Sequence, residues 1–203
     1  MKTRTIGSLT VSEVGLGCMN MSMGYGKADD AESERLLNSA LDVGYTFLDT
    51  AQVYGSGHNE ELIGKSLEGR RSEYVLATKC GLSREGINGD PAGIMKSCEN
   101  SLQRLRTDVI DLYYLHRVDP NIPIEESTGA LAKLVEQSRV RYGKSVYLKF
   151  VVKTCVELTR FTRLQHFSLS ILFGPEHRSA AYLMCVMNWE SLWCRSHLWA
   201  EHS

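Results

Sequence analysis

Apolar positions along residues 1–142 switch between two spacings, and the switches mark out successive elements. Short apolar runs at "VGLGCM", "YTFLDTA", "EYVLATKCG" and "DVIDLYYLH" predict buried strands. Helical patterns lie between them. "DDAESERLLNSALDVG" opens on acids and sets Ala31, Leu36, Leu37, Ala40 and Leu41 on one face before stopping at Gly44. "HNEELIGKSLEG" reads as a helix ending at Gly69. "DPAGIMKSCENSLQRLRT" has Pro91 just inside its start and Ile94, Met95, Cys98, Leu102 and Leu105 on its face. "PIEESTGALAKLVEQ" supplies a fourth helix. Four βα units of roughly 30–35 residues predict a parallel sheet with right-handed crossovers. That is half of a (β/α)8 barrel, which needs about 250 residues.

Composition changes this picture at one place. Past Gly143 the chain of 203 residues has no Asp, one further Gly (Gly174), all three Trp and four of its six His. Residues 1–143 hold 16 Lys+Arg against 20 Asp+Glu, and residues 144–203 hold 7 against 4. Neither balance points to nucleic acid or an anionic membrane as the main partner. The N-terminal "MKTRTIGSLTVSEVG" lacks the apolar run of a signal peptide, and no stretch reaches the ~18 apolar residues of a membrane span. The six Cys show no CxxC or metal-type spacing and read as reduced thiols in a cytoplasmic protein without a metal site.

Candidate chemistry lies where predicted strands end, because sheets of this kind place their active sites on that face. Asp49 follows "YTFL", Tyr54 lies in the next loop, Lys79 follows "EYVLAT" and His116 follows "DVIDLYYL". Each also has an ordinary reading: a turn Asp, a packed loop Tyr, a solvated Lys, a hydrogen-bonded structural His. Their equivalent placement in consecutive units favours one site. A phenol, with a pKa near 10, is a weak acid at neutral pH unless a cation stabilises its phenolate. Lys79 would do that and Asp49 would hold Lys79, making a tuned proton donor; His116 would orient a substrate oxygen. The glycines of "VYGSGHNEELIG" meet neither GxGxxG nor a P-loop pattern, so that loop reads as the mouth of the site rather than a phosphate cradle.

The stretches "GLGCMNMS", "FLDTAQVYGSGHNEELIG", "YVLATKCG", "SLQRLRTDVIDLYYLHRVDP" and "GALAKLVEQSRVRY" resemble the aldo-keto reductases, in register and in order over residues 1–142. "TRTIGSLTV" resembles the hairpin that closes the bottom of that family's barrel. The resemblance implies a TIM barrel that reduces aldehydes or ketones with NADPH, hydride passing to the carbonyl carbon while a phenol protonates the oxygen. It places the catalytic tetrad on Asp49, Tyr54, Lys79 and His116 and the nicotinamide-side contacts on Gly17, Cys18, Met19 and Asp49. A second implied reading is a regulatory or binding subunit, since some relatives partner ion channels.

The family pattern predicts a strand of the form RYIGLSE after Lys133–Gln137, yet the sequence reads "RVRYGKSVYLKF". A peptide constrains its own codons, so the shifted frame is partly recoverable by joining each third base to the next two. Lys144–Phe150 then permits I-G-L-S-E-V, and Cys155–Glu176 permits RRAHAVHPIAAFQSEYSLWTR. Met187–Ser191 is nearly forced: Met-Asn gives only Glu, Asn-Trp only Leu and Trp-Glu only Gly. Continuing to Glu201 permits E-L-G-I-A-L-V-P-F-S-P-L-G-R. These strings resemble the fifth, sixth and seventh strand regions of the family. Residues 143–203 therefore read as an out-of-frame tail without a domain of its own, on a C-terminally truncated half barrel of residues 1–142. The competing readings are a distinct evolved segment and an inert product of a damaged gene. In the out-of-frame reading, the loops that hold most of the cofactor are lost as translated.

Overall fold

Thr3–Ile6 (β1) and Leu9–Ser12 (β2) pair as an antiparallel hairpin and lie against the inner face of the main sheet. The structure, a computed structural model, describes residues 1–6, 8–24, 26, 28–145 and 182–185. Strands Val14–Gly17 (β3), Phe47–Asp49 (β4), Val75–Cys80 (β5), Ile110–Leu115 (β8) and Val140–Ser145 (β9) follow one another as parallel neighbours. Helices Asp30–Asp42 (α1), His58–Ser66 (α2), Pro91–Arg104 (α3) and Ile124–Glu136 (α4) make the crossovers. The order is that of a (β/α) barrel wall, as the sequence pattern predicts.

Local chemistry sets the helix starts. Asp29 accepts a hydrogen bond from Glu32 N at 2.9 Å and caps α1. Asp90 does the same for Gly93 N at 2.9 Å, with Pro91 in the first turn of α3. One face of each helix then packs on the sheet: Leu37, Leu62, Ile63, Ile94, Leu102, Leu131 and Leu134 join Leu48, Leu76, Tyr113 and Leu115 in the larger core. A smaller core on the opposite face joins Ile6, Leu9 and Val11 of the hairpin to Phe47, Ala77, Leu112 and Tyr114. Ser12 and Thr46 exchange hydrogen bonds, Ser12 N to Thr46 Oγ1 at 2.7 Å and Thr46 N to Ser12 Oγ at 3.0 Å. The hairpin thus closes the end where β4 begins, leaving the C-terminal strand ends for chemistry.

Three features lie outside the sequence pattern. A small hairpin, Leu82–Ser83 (β6) with Gly86–Ile87 (β7), decorates the connection from β5 to α3. The fifth strand also continues past residue 142: Tyr113 to Leu115 pair in parallel with Gly143 to Ser145. Ladder pairing uses backbone groups alone, so the strand extends across the compositional boundary without needing family side chains. A short strand, Tyr182–Cys185 (β10), pairs antiparallel with β3. The expectation of an irregular tail otherwise falls outside the described residues. Among those described, no helix is long and apolar enough to cross a membrane.

Candidate active site

The pleat of the sheet decides which side chains meet. Along a strand, alternate residues face opposite sides. Phe47 and Ala77 face the hairpin core, so Asp49 and Lys79, two residues on, share that inner face at the strand ends. Leu112 and Tyr114 face the same way, and His116 follows them. His116 N continues the ladder by donating to Cys80 O at 2.8 Å, which fixes it beside the end of β5.

Lys79 Nζ donates to Asp49 Oδ1 at 2.5 Å, to Thr50 O at 2.9 Å and to Tyr54 Oη at 3.3 Å. The Tyr54 and His116 rings stand edge-to-face with centroids 6.0 Å apart. All four predicted catalytic side chains therefore surround one point above the strand ends. The loop that carries Tyr54 is suspended from β5: Thr50 N donates to Ala77 O at 2.9 Å and Gln52 N to Lys79 O at 3.2 Å. Beyond Tyr54 the chain turns tightly, with Gly55 at φ 59° and Gly57 at φ 97°. A Cβ on Gly57 would lie 2.8 Å from Arg104 Cδ, so both the conformation and the space call for glycine there.

Electrostatics sort the roles. Burial opposes the Lys79 ammonium, but the Asp49 carboxylate and Tyr54 outweigh it and raise its pKa above the usual lysine value. Burial raises the Tyr54 pKa above 10, and the opposing pull of Lys79 only partly offsets it. Lys79 thus acts on the phenol as the sequence predicts, but the net shift is upward because a phenolate loses more by leaving water than one nearby cation returns. At neutral pH the phenol holds its proton. Burial, with the charges of Lys79 and Arg117, lowers His116 to about 4, so its ring is neutral.

The predicted cofactor contacts Gly17, Cys18 and Met19 lie at the end of β3, beside the acid. Gly17 pairs with Asp49, and Cys18 N donates to Asp49 O at 2.8 Å. Cys18 is fully buried, and burial together with Asp49 pushes its thiol up to about 12, which makes it an inert packing group. Two buried polar atoms of the site, Asp49 Oδ2 and His116 Nδ1, have no hydrogen-bond partner among the described residues. Such atoms invite ligand groups.

The sequence reading passed over the layer beneath these groups. Asn59 and Glu60, in the first turn of α2, look like solvent-facing helix-start residues, yet both are fully buried. Glu60 Oε1 accepts from Thr78 Oγ1 at 2.6 Å and Oε2 from Arg104 Nε at 2.7 Å. Asn59 bonds to Thr50, Cys18 and Ser22. The available signal was the run "HNEEL", whose polar residues fall on the same helical turn as the apolar face.

Comparisons with known proteins relate the chain to one family. The chain matches the profile of the Aldo/keto reductase family over residues 13–143. It is 45% identical over 150 residues to aldo-keto reductase str7 of Strobilurus tenacellus, covering 70% of this chain and 44% of that protein. It is 43% identical over 148 residues to the aldo-keto reductase yakc [NADP(+)] of Schizosaccharomyces pombe, covering 69% and 44%. The chain therefore spans less than half the length of these two relatives. The holo form of an aldo-keto reductase from Bacillus halodurans superposes with a TM-score of 0.71 at 35% identity, covering 81% of this chain and 56% of that one.

Proposed function

The chain belongs to the aldo/keto reductase family, and on that footing we propose that its site is the proton-donating centre of an NADPH-dependent reductase of aldehyde or ketone carbonyls. The observation that carries this reading is the connected set Asp49–Lys79–Tyr54, with a neutral His116 beside the phenol. Tyr54 gives its hydroxyl proton to the carbonyl oxygen. Lys79, charged throughout the neutral range, stabilises the phenolate that remains, and Asp49 keeps the ammonium in place. The neutral His116 ring hydrogen-bonds the substrate oxygen and orients it. General-acid assistance of this kind contributes about 10²–10⁴-fold.

NADPH, when bound, supplies the hydride. The residues present fit its nicotinamide end: Asp49 Oδ2 is a buried acceptor lacking a donor among the described residues, and the Gly17–Met19 segment borders it. Amide and ribose hydroxyl groups are donors of the required kind. The NADP(+) in the name of the Schizosaccharomyces pombe relative supports the choice of cofactor.

We further read residues from about 143 onward as translated out of frame, so that full activity belongs to the frame-restored product and this chain is impaired. The test is NADPH oxidation with a reactive aldehyde. The frame-restored protein should turn over, and its Tyr54→Phe variant should lose most of kcat with a smaller effect on cofactor affinity. A restored protein without turnover, or one indifferent to Tyr54→Phe, would reject the reading.

A further inference from the structure

We propose that Asn59 is a positioning residue that fixes, from one buried side chain, both the lysine serving the proton donor and the Gly17–Met19 segment. The inference rests on reading Lys79 and Tyr54 as the proton-donating pair.

Asn59 is fully buried in the first turn of α2. Its Oδ1 accepts from Thr50 Oγ1 at 2.6 Å, and its Nδ2 donates to Cys18 O at 2.8 Å and to Ser22 Oγ at 2.9 Å. The amide orientation is forced, because the Cys18 carbonyl can only accept and must face the NH2 group. None of these bonds serves the helix itself. All three reach the segments that follow β3 and β4, so the side chain is no ordinary helix cap.

Two chains of contact lead from it to the site. Thr50 is fully buried, and its carbonyl accepts Lys79 Nζ at 2.9 Å, so Asn59 holds the peptide that provides one of the three Lys79 acceptors. The Cys18 peptide is gripped from both sides, its N–H by Asp49 O at 2.8 Å and its carbonyl by Asn59. Without Asn59, Thr50 Oγ1 loses its acceptor in a buried setting and the Cys18 carbonyl keeps only Met21 N at 3.0 Å, so both segments are held less firmly. Lys79 then loses a fixed acceptor, and Tyr54 loses a fixed cation.

The test uses the 203-residue chain and needs no turnover. A buried ammonium held by three acceptors exchanges its protons slowly enough for a ¹H–¹⁵N correlation of Lys79 Nζ at pH 6, assigned by its disappearance in Lys79→Met. The signal is expected in the wild type and in Thr50→Ser, which keeps the hydroxyl. In Asn59→Ala and Thr50→Val its exchange should quicken at least tenfold, or the peak should vanish, while the backbone amide spectrum stays folded. An unaltered Lys79 signal in Thr50→Val overturns the proposal even where Asn59→Ala does not fold. So does a wild-type chain without an ordered Lys79 signal. A merely structural role would lower stability and leave the ammonium exchange alone. If the signal behaves as expected and the frame-restored protein still reduces no carbonyl, the reductase reading fails and the coupling stands.

Discussion

Lys79 donates to the Tyr54 hydroxyl at 3.3 Å, and the phenol nevertheless sits above its ordinary pKa. The cation lowers it and burial raises it further. Carbonyl reduction by the frame-restored protein should therefore be flat in kcat through neutral pH and fall only when the phenol ionises, above about 10. Lys79→Met removes the lowering influence. It should reduce kcat by about 10²-fold or more and move any alkaline limb to higher pH. A limb that moves to lower pH in a kcat–pH profile would contradict this account.

His116 links the site to acid stability. Its folded pKa is about 4 against an ordinary 6.5, so the unfolded chain binds this proton more readily. The neutral ring's contribution is complete above pH 6.5. It falls as pH drops towards 4, by at most about 3–4 kcal/mol at roughly 1.4 kcal/mol per pH unit. Urea midpoints of the wild type should fall more steeply between pH 6.5 and 4 than those of His116→Gln. Parallel slopes would show that the ring is not buried neutral.

The fold and the convergence of the four site side chains were legible because their signals are local. Asp29 and Asp90 stand where capping residues belong, Pro91 opens its helix, and Asp49, Lys79 and His116 end apolar runs that could only be strands. Tyr54 was legible through its place in the loop. The supporting layer was not, because burial of Asn59 and Glu60 depends on how α2 lies against β5 and α3, which no sequence window contains. The net direction of the Tyr54 shift was hidden for the same reason: the sequence places Lys79 beside it but not the apolar surroundings.

Glu60 is fully buried and paired with Arg104, whose side chain is 22% exposed. Arg104→Met leaves the carboxylate buried with only Thr78 as partner, and should cost about 3–5 kcal/mol in urea unfolding. Glu60→Gln keeps one oxygen to accept from Arg104 and turns its NH2 to the Thr78 hydroxyl, which can accept, and should cost clearly less. Equal losses would mean that packing around Arg104, rather than the orphaned charge, sets the cost.

Gly64 marks where α2 meets the end of α3. A Cβ there would lie 2.7 Å from the Leu105 carbonyl carbon, with Arg104 O also in the way, and these are backbone atoms that cannot swing aside. Gly64→Ala should therefore destabilise by about 1–3 kcal/mol or more, despite the better helix propensity of alanine. A thermal melt showing equal or higher Tm would mean that the two helices sit farther apart.

The last prediction concerns the reading frame. Restoring the frame near Tyr142 should yield an open reading frame that continues well past residue 203, with the strings recovered from Lys144–Phe150, Cys155–Glu176 and Met187–Glu201 in order. Free third bases make a single match cheap, but Met-Asn, Asn-Trp and Trp-Glu leave no choice of product. Three matching blocks at family spacing are hard to obtain otherwise. The nucleotide sequence around codons 138–146 decides it, and stop codons soon after position 143 in the alternative frame would count heavily against the idea. The functional counterpart is an assay of the two proteins side by side. The 203-residue chain should show little NADPH-dependent reduction, because a proton donor without a firmly held hydride source reduces nothing, while the restored protein should be active. Robust turnover by the chain as translated would show that its C-terminal residues supply a cofactor site of their own.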